Sequence, residues 1–555
     1  MKLIYIANAR IPTERAHGVQ IMEMCAAFSR NGCGVELLVP RRLNRIKDNP
    51  FHYYGLLHSF KIVKLPCLSL DFIYFDFGKI GFFIQTITFL ISARIYLLFK
   101  KYDILYTREQ LIYLFFRNFI LELHGLPRKV GFIHRKIWNK AKHLVVLTSF
   151  IKDELISERI NEEKVLVSPD GVNLERFTLN IDRAEARKKV GLPMDKKIIL
   201  YSGSFYSYDW KGVDILLEVS KYLSGDCLVV LVGEYENKLA EMKDKYKSGK
   251  IILLGQKSYA EVPDYLKSAD VLVLPNKKGD AVSEKYTSPL KLFEYMASGT
   301  PIVASNLPSI KEILNENNAV LVEPNNPEAL AFGIKRVLKD GEFSAKILKQ
   351  ALKDVQNYTW DKRARTILNF TMKLPGGWFK AGDIAAYREL VSNIPRGGQL
   401  LELGSWKGRS ICSVAQLLIE RDIKVSVVDT FRGTDSESEG AHKEAKLIDL
   451  KQVFINNTKN FGIDDRITII QDRTDDVVKS FKDKTFDLVF VDADHQEESV
   501  FKDINNYRSK VKDGGTIAGH DWKWESVRKA IVRTGLQIIT IGNMWYCINP
   551  HKKYD

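Results

Sequence analysis

Cysteine is scarce in this chain. Its six residues, Cys25, Cys33, Cys67, Cys227, Cys412 and Cys547, are scattered over 555 positions and form no C-x-x-C pair. That argues against a disulfide frame or a zinc knuckle and predicts reduced thiols in the cytosol. There is no low-complexity tract, no short-period repeat and no coiled-coil heptad pattern. No aromatic-interleaved RNA motif, recognition helix or finger pattern is present, so no nucleic-acid partner is expected. MKLIYIANAR lacks the basic start, apolar run and cleavage site of a secretory leader and reads as a strand. Long apolar runs are confined to IGFFIQTITFLISARIYLLF (80–99), which carries Gln85 and Arg94 and leads into the strand-like KYDILYTRE. A buried or interfacial helix is expected there rather than a membrane span.

What the chain does have is an ordinary globular composition, 45% hydrophobic and 27% charged. Its length predicts about three compact units. The net charge of +15 is uneven: residues 1–180 hold 26 Lys+Arg against 16 Asp+Glu. A basic front suits anionic lipid or a phosphorylated substrate. With RRLNRIK (41–47) near the apolar stretch, a peripheral contact with the inner face of the membrane is expected for a cytoplasmic protein.

Short apolar runs alternate with helical patterns throughout, the βαβ signature of doubly wound parallel sheets. KLIYIA, GVELLVP, DILYTR, HLVVLT and KVLVSPDGV form a first set, predicting a domain over 1–180. KKIILYSGS, CLVVLVG, IILLG, DVLVLP and PIVAS form a second, over 181–372. TMKLPGGWFKAGD breaks the pattern and predicts a linker at 373–383. GQLLELG, KVSVVDT, RITIIQD, FDLVFVDAD and GGTIAGHD, with a closing pair near LQIITIG and MWYCIN, form a third, over 384–555. Ligands of such sheets bind outside the strand C-terminal ends, where helix N-termini offer N–H groups to phosphate.

YTSPLKLFEYMASGTPIVAS (286–305) is the most specific feature of the front half. Ser288, Pro289 and Leu290 would open a helix over a diphosphate, and Glu294, eight residues after Tyr286, could hold a ribose diol. RIPTERAHGVQI, LELHGLP, SPDGVNLERF and GSFYSYDWKGVDIL precede it in order. Together these resemble glycosyltransferase family 4, retaining enzymes of two Rossmann-like domains (GT-B), over residues 1–372. The resemblance implies Gly18 at a loop approached by substrate, His124 against the donor sugar, and Lys211 on the diphosphate of a UDP- or GDP-sugar. Tyr286 stands where the family has the first glutamate of its E-x7-E motif, and Ser204 near its arginine, so one phosphate charge is lost.

In LLELGSWKGRSI, Glu402, Gly404, Ser405 and Gly408 follow a strand and open a helix, a loop whose backbone can approach a ligand. Asp429 and Asp472 end the next two strands, in reach of a ribose and an adenine edge. This order resembles class I methyltransferases that bind S-adenosylmethionine, over 384–555. Asp492 and Asp521 end adjacent strands, about 5 Å apart in such a sheet, and could share Mg²⁺ with His520 beside them. His495 could act as general base. The same acidic residues could instead cap helices. The arrangement is similar to sugar O-methyltransferases.

The fold class expected is α/β: a GT-B pair of Rossmann-like domains followed by a third, methyltransferase domain. The function expected is glycosyl transfer to a lipid-linked or growing glycan plus O-methylation of a sugar, for a bacterial surface polysaccharide. The alternative is an active methyltransferase whose front half only binds acceptor.

Overall fold

The structure is a computed structural model. It describes residues 1–68, 78–204, 209–234, 239–240, 243, 249–372, 374–433 and 441–548. Residues 205–208 of the GSFYSYDWKG motif and Lys373 of the expected linker lie outside these. The chain divides into two compact units, Met1–Ile367 and Leu368–Asp555. The division falls inside the last helix of the front half rather than after it.

Unit 1 holds two all-parallel sheets. The first is built from β1 (Lys2–Ile6), β2 (Gly34–Pro40), β3 (Lys61–Leu65), β4 (Ile104–Thr107), β5 (Phe119–Leu123), β6 (His143–Val146) and β7 (Val165–Val167). They lie in the order β3-β2-β1-β4-β5-β6-β7. The second is built from β8 (Lys197–Ser202), β9 (Cys227–Glu234), β10 (Ile251–Gly255), β11 (Val271–Leu274), β12 (Ile302–Ser305) and β13 (Val320–Val322), in the order β10-β9-β8-β11-β12-β13. Near-continuous Val/Ile/Leu runs make these strands, because helices cover both faces and leave no side for water. β4, β5, β11 and β12 are buried along their whole length.

Helices of unit 1 include α1 (Ala16–Arg30), α2 (Gly78–Leu97), α3 (Leu290–Ala297) and α4 (Trp360–Thr371). In α2, Phe89, Leu90, Ala93 and Leu97 are buried in the first core. Its polar residues also face inward: Gln85 donates to Asn8 at 2.9 Å, and Asn8 to Thr86 at 2.8 Å. The segment is long and apolar enough to cross a bilayer by length and composition, but it lies against the sheet. Its outer face exposes Ile80, Phe83, Ile91 and Ile95. The crossover between the two sheets, at 168–172, runs beside the returning chain, with Val172 N–H donating to the Tyr358 carbonyl at 2.9 Å.

Unit 2 holds one sheet of β14 (Gln399–Leu403), β15 (Lys424–Val428), β16 (Ile467–Ile470), β17 (Phe486–Val491), β18 (Val511–Gly519), β19 (Ile539–Ile541) and β20 (Met544–Ile548). The order is β16-β15-β14-β17-β18-β20-β19, with β20 antiparallel to both neighbours. α5 (Ala381–Ser392) begins inside the expected linker, because the Asp383 carboxylate accepts the Lys380 N–H at 2.8 Å and closes its first turn. α6 (Arg409–Ser413) follows β14. Strand order reverses between β1 and β4, β8 and β11, and β14 and β17. At such switch points the loops diverge and open a crevice at the strand C-terminal ends.

Candidate active sites

The first crevice is built around Glu122 on β5. Its Oε1 accepts from Gln20 at 2.5 Å and Arg363 at 3.1 Å and meets His124 Nε2 at 2.6 Å. Burial and the neighbouring Arg108 lower the His124 pKa. Gly18, expected in a loop, is part of a helix. It lies buried in the first turn of α1, where an added Cβ would collide with the Tyr54 hydroxyl and Thr13. The missing side chain makes room for Tyr54, which bonds both the N–H and the carbonyl of Thr13.

At the second switch point, Lys211 Nζ donates to the Ser204 carbonyl at 2.9 Å. α3 opens at Leu290 with Pro289 as its cap, as the SPLK stretch predicts. Glu294 is buried on the next turn, accepts from the Tyr259 hydroxyl at 3.0 Å, and has its pKa pushed up to about 7 by burial. Tyr286 and Glu294 do not share a helix: a separate turn, Val282–Tyr286, ends before Thr287–Pro289. Tyr286 reaches the first sheet's domain instead, where its hydroxyl donates to Glu154 at 2.7 Å. Ser288 Oγ accepts the Asp170 N–H at 3.0 Å, and Ser288 and Pro289 line the seam with Thr148 and Pro169. Thr148 donates to the Lys285 carbonyl at 2.7 Å, and Ser149 Oγ to Glu312 at 2.6 Å. The position aligned with the family's first glutamate thus contacts the first sheet's domain, a role invisible in sequence because Glu154 lies in another domain.

In unit 2, Gly404 has φ +80, and an added Cβ would collide with the Asp492 carbonyl, so β14 and β17 close tightly over this loop. Glu402 is fully buried. It accepts from Tyr387 at 2.7 Å, Ser410 at 2.6 Å and Ser405, and burial raises its pKa to about 7. Asp429 spends three of its roughly four acceptor positions on the N–H groups of Ser405, Trp406 and Phe431. It shapes the glycine loop and has little capacity left for two ribose hydroxyls. Asp472 is exposed and accepts its neighbour's N–H. Gly408 has φ +80 and starts α6.

Beyond β17 and β18, the ligand atoms of Asp492, His495 and Asp521 all lie within 4.8 Å of one another. His495 Nε2 is 2.8 Å from Asp521 Oδ2. His520, expected with the metal ligands, is outside this group of three. Its Nδ1 faces Asp521 at 3.1 Å, but its Nε2 faces Asp383 at 3.3 Å, so carboxylates flank both nitrogens. Burial opposes its charge, yet Asp521, Asp492 and Asp383 together raise its pKa to about 9. Burial lifts Asp492 to about 7, whereas bonds from His495 and His520 hold Asp521 well below the usual range. Sequence reading missed Asp383 and Trp524, whose ring lies tilted by 42° against His495 with centroids 4.6 Å apart.

Residues 182–354 match the family model described as Glycosyl transferases group 1, and residues 401–522 match a Methyltransferase domain model. This chain joins a glycosyltransferase domain to a methyltransferase domain. A protein of Methanocaldococcus jannaschii named "Uncharacterized glycosyltransferase MJ1607" is 30% identical over 239 residues, which cover 41% of this chain and 58% of that protein. Among solved structures, sucrose-phosphate synthase from Thermosynechococcus elongatus aligns with a TM-score of 0.53 at 19% identity, covering 66% of this chain and 97% of that one. Anabaena Alr3699/HepE, in complex with UDP and glucose, aligns with a TM-score of 0.51 at 16% identity, covering 66% and 98%. The glycosyltransferase unit thus has the GT-B fold, and the third sheet belongs to the methyltransferase unit.

The raised pKa of Glu294 has a definite sign. Between its ordinary value of 4.5 and about 7, the folded chain keeps a proton that the unfolded chain releases. Stability is therefore lost as pH rises through that window, by up to ~3 kcal/mol. Glu294→Gln, which can still accept from Tyr259, is expected to flatten the fall in melting temperature of the glycosyltransferase unit between pH 5 and 8, read by calorimetry. A slope equal to the wild type's would show that Glu294 titrates normally.

Proposed function

We propose that this chain is a bifunctional enzyme of surface-polysaccharide synthesis, transferring a sugar with retention and methylating a sugar hydroxyl. The observation that carries the reading is that charged and titratable side chains gather at the switch-point ends of the sheets in both units. In the glycosyltransferase unit, Lys211 would hold the diphosphate of a UDP- or GDP-sugar and Glu294 the ribose, with His124 toward the sugar. The acceptor hydroxyl would attack from the face that the diphosphate leaves. The UDP and glucose held by the Anabaena neighbour support a uridine donor.

In the methyltransferase unit, the carboxylates of Asp492 and Asp521 fit a hard divalent cation such as Mg²⁺. The loop of Gly404, Ser405 and Gly408, shaped by Asp429 and backed by Glu402, fits S-adenosylmethionine, with Asp472 toward the adenine. When bound, these groups would supply a methyl group and a positive charge beside the reacting hydroxyl. His495 would take the hydroxyl proton, and Asp521, whose Oδ2 lies 2.8 Å from its Nε2, orients the ring. Tethering keeps the second activity at high local concentration around the first product.

A second reading has a specific motive. With Tyr286 committed to Glu154 and serine at position 204, the front unit could bind acceptor without transferring sugar. The test measures nucleotide release from UDP- and GDP-sugars and labelled methyl transfer from S-adenosylmethionine, with mass spectrometry of the product. Glu294→Ala should lower sugar transfer roughly a hundredfold and spare methylation; Asp521→Asn or EDTA should do the reverse. Methyl transfer without any nucleotide release by the wild type would leave the acceptor-binding reading standing. A methyl group found on nitrogen would remove sugar O-methylation.

We also propose a lipid-linked glycan acceptor, met at the inner membrane face through the outer side of α2. Ile80, Phe83, Ile91 and Ile95 are exposed there, with the cationic Arg94 on the same helix. The chain should co-sediment with vesicles containing anionic lipid, and Phe83→Asp with Ile91→Asp should abolish this. Sedimentation unaffected by the pair would remove α2 as the contact.

A further inference from the structure

The sequence lacks a second cation near Ser204 for a bound diphosphate, and the structure brings one there from elsewhere. Lys291, on the first turn of α3, turns back over the end of β8. Its Nζ donates to the Tyr201 hydroxyl at 2.6 Å and lies 3.8 Å from the centre of the Tyr201 ring. A Cβ built on Gly203, where φ is +124, would stand 2.8 Å from that nitrogen. The glycine therefore leaves room for the ammonium directly over the strand-end turn. Lys211 reaches the same turn from the other side, through the carbonyl of Ser204. The Ser204 hydroxyl, at this same turn, is buried and has no hydrogen-bond partner among the described residues.

This is an expensive arrangement. Among the described residues no carboxylate lies within ion-pair distance of Lys291, and Glu294 attracts it only through space. Burial, and then the neighbouring Lys211, press it toward its neutral form. An ammonium with a phenol as its hydrogen-bond partner, next to a second ammonium, costs free energy that an anion between the two would return.

We infer that Lys291 is a diphosphate-binding residue, which together with Lys211 and the Ser204 hydroxyl clamps the diphosphate of a nucleoside diphosphate sugar at the end of β8. In this chain Lys291 supplies the charge that serine at position 204 cannot. The inference rests on the nucleotide-sugar reading of the front unit.

The test is calorimetric titration of the full chain with UDP and with GDP, for the wild type, Lys291→Met and Lys291→Arg. Methionine keeps most of the apolar stem and removes the charge; arginine keeps the charge. The expected result is that Lys291→Met weakens the nucleoside diphosphate that the wild type binds by roughly tenfold or more, whereas Lys291→Arg retains most of the affinity. Wild-type binding with unchanged affinity in Lys291→Met would overturn the role of Lys291 and leave the nucleotide-sugar reading intact. Equal losses in both variants would assign Lys291 to packing and also overturn it. A wild type that binds neither UDP nor GDP would overturn the nucleotide-sugar reading itself, and this inference with it.

Discussion

Glu122 is a carboxylate with no access to water, and the glycosyltransferase unit is organised around keeping it charged. Burial alone would push its pKa up; Arg363, then His124, hold it well below the usual range. Arg363 comes from α4, after the second sheet, and also donates to the carbonyls of Ser168 and Pro169 in the crossover. One buried ion pair thereby joins β5, the crossover and the returning helix. Losing one partner of such a pair leaves an unpaired buried charge, a loss on the order of 3–5 kcal/mol. The same carboxylate commits His124 Nε2 and so fixes how that ring faces the crevice.

The methyltransferase unit solves the equivalent problem differently. Glu402 stands one residue before the end of β14, as buried as Glu122, but hydroxyls surround it instead of a cation. Its pKa consequently rises to about 7. Charge is concentrated one loop further out, where Asp383, Asp492 and Asp521 converge on His495 and His520. Both units thus place a buried glutamate near a strand end, with the groups fit for chemistry just beyond it.

Much of this was legible in the sequence, for physical reasons that differ by residue. Parallel strands buried on both faces must be continuous apolar runs, so β1, β8 and β14 and the order of three sheets could be read directly. The cluster of Asp492 and Asp521 was legible because adjacent parallel strands end side by side. Gly18 was not, because its reason is the Tyr54 hydroxyl, delivered by a distant helix. The contact of Tyr286 was hidden for the same cause, since Glu154 belongs to the other sheet's domain. The contact of His520 with Asp383 was hidden too, since Asp383 arrives from α5. Lys291 looked like any helix lysine until the glycine at 203 gave it space. Local pattern carries backbone and strand ends; partners brought by long-range packing decide what each side chain at those ends can do.

The central claim is that one chain holds two live transferase sites at its switch points. The most direct measurement is a crystal structure of the full chain grown with UDP and S-adenosylhomocysteine. The account predicts UDP with its diphosphate at the end of β8 and its ribose on Glu294, and S-adenosylhomocysteine over the Gly404 loop. S-adenosylhomocysteine bound with the front crevice empty at saturating UDP and likewise at saturating GDP, or either ligand bound away from the strand ends, would contradict it.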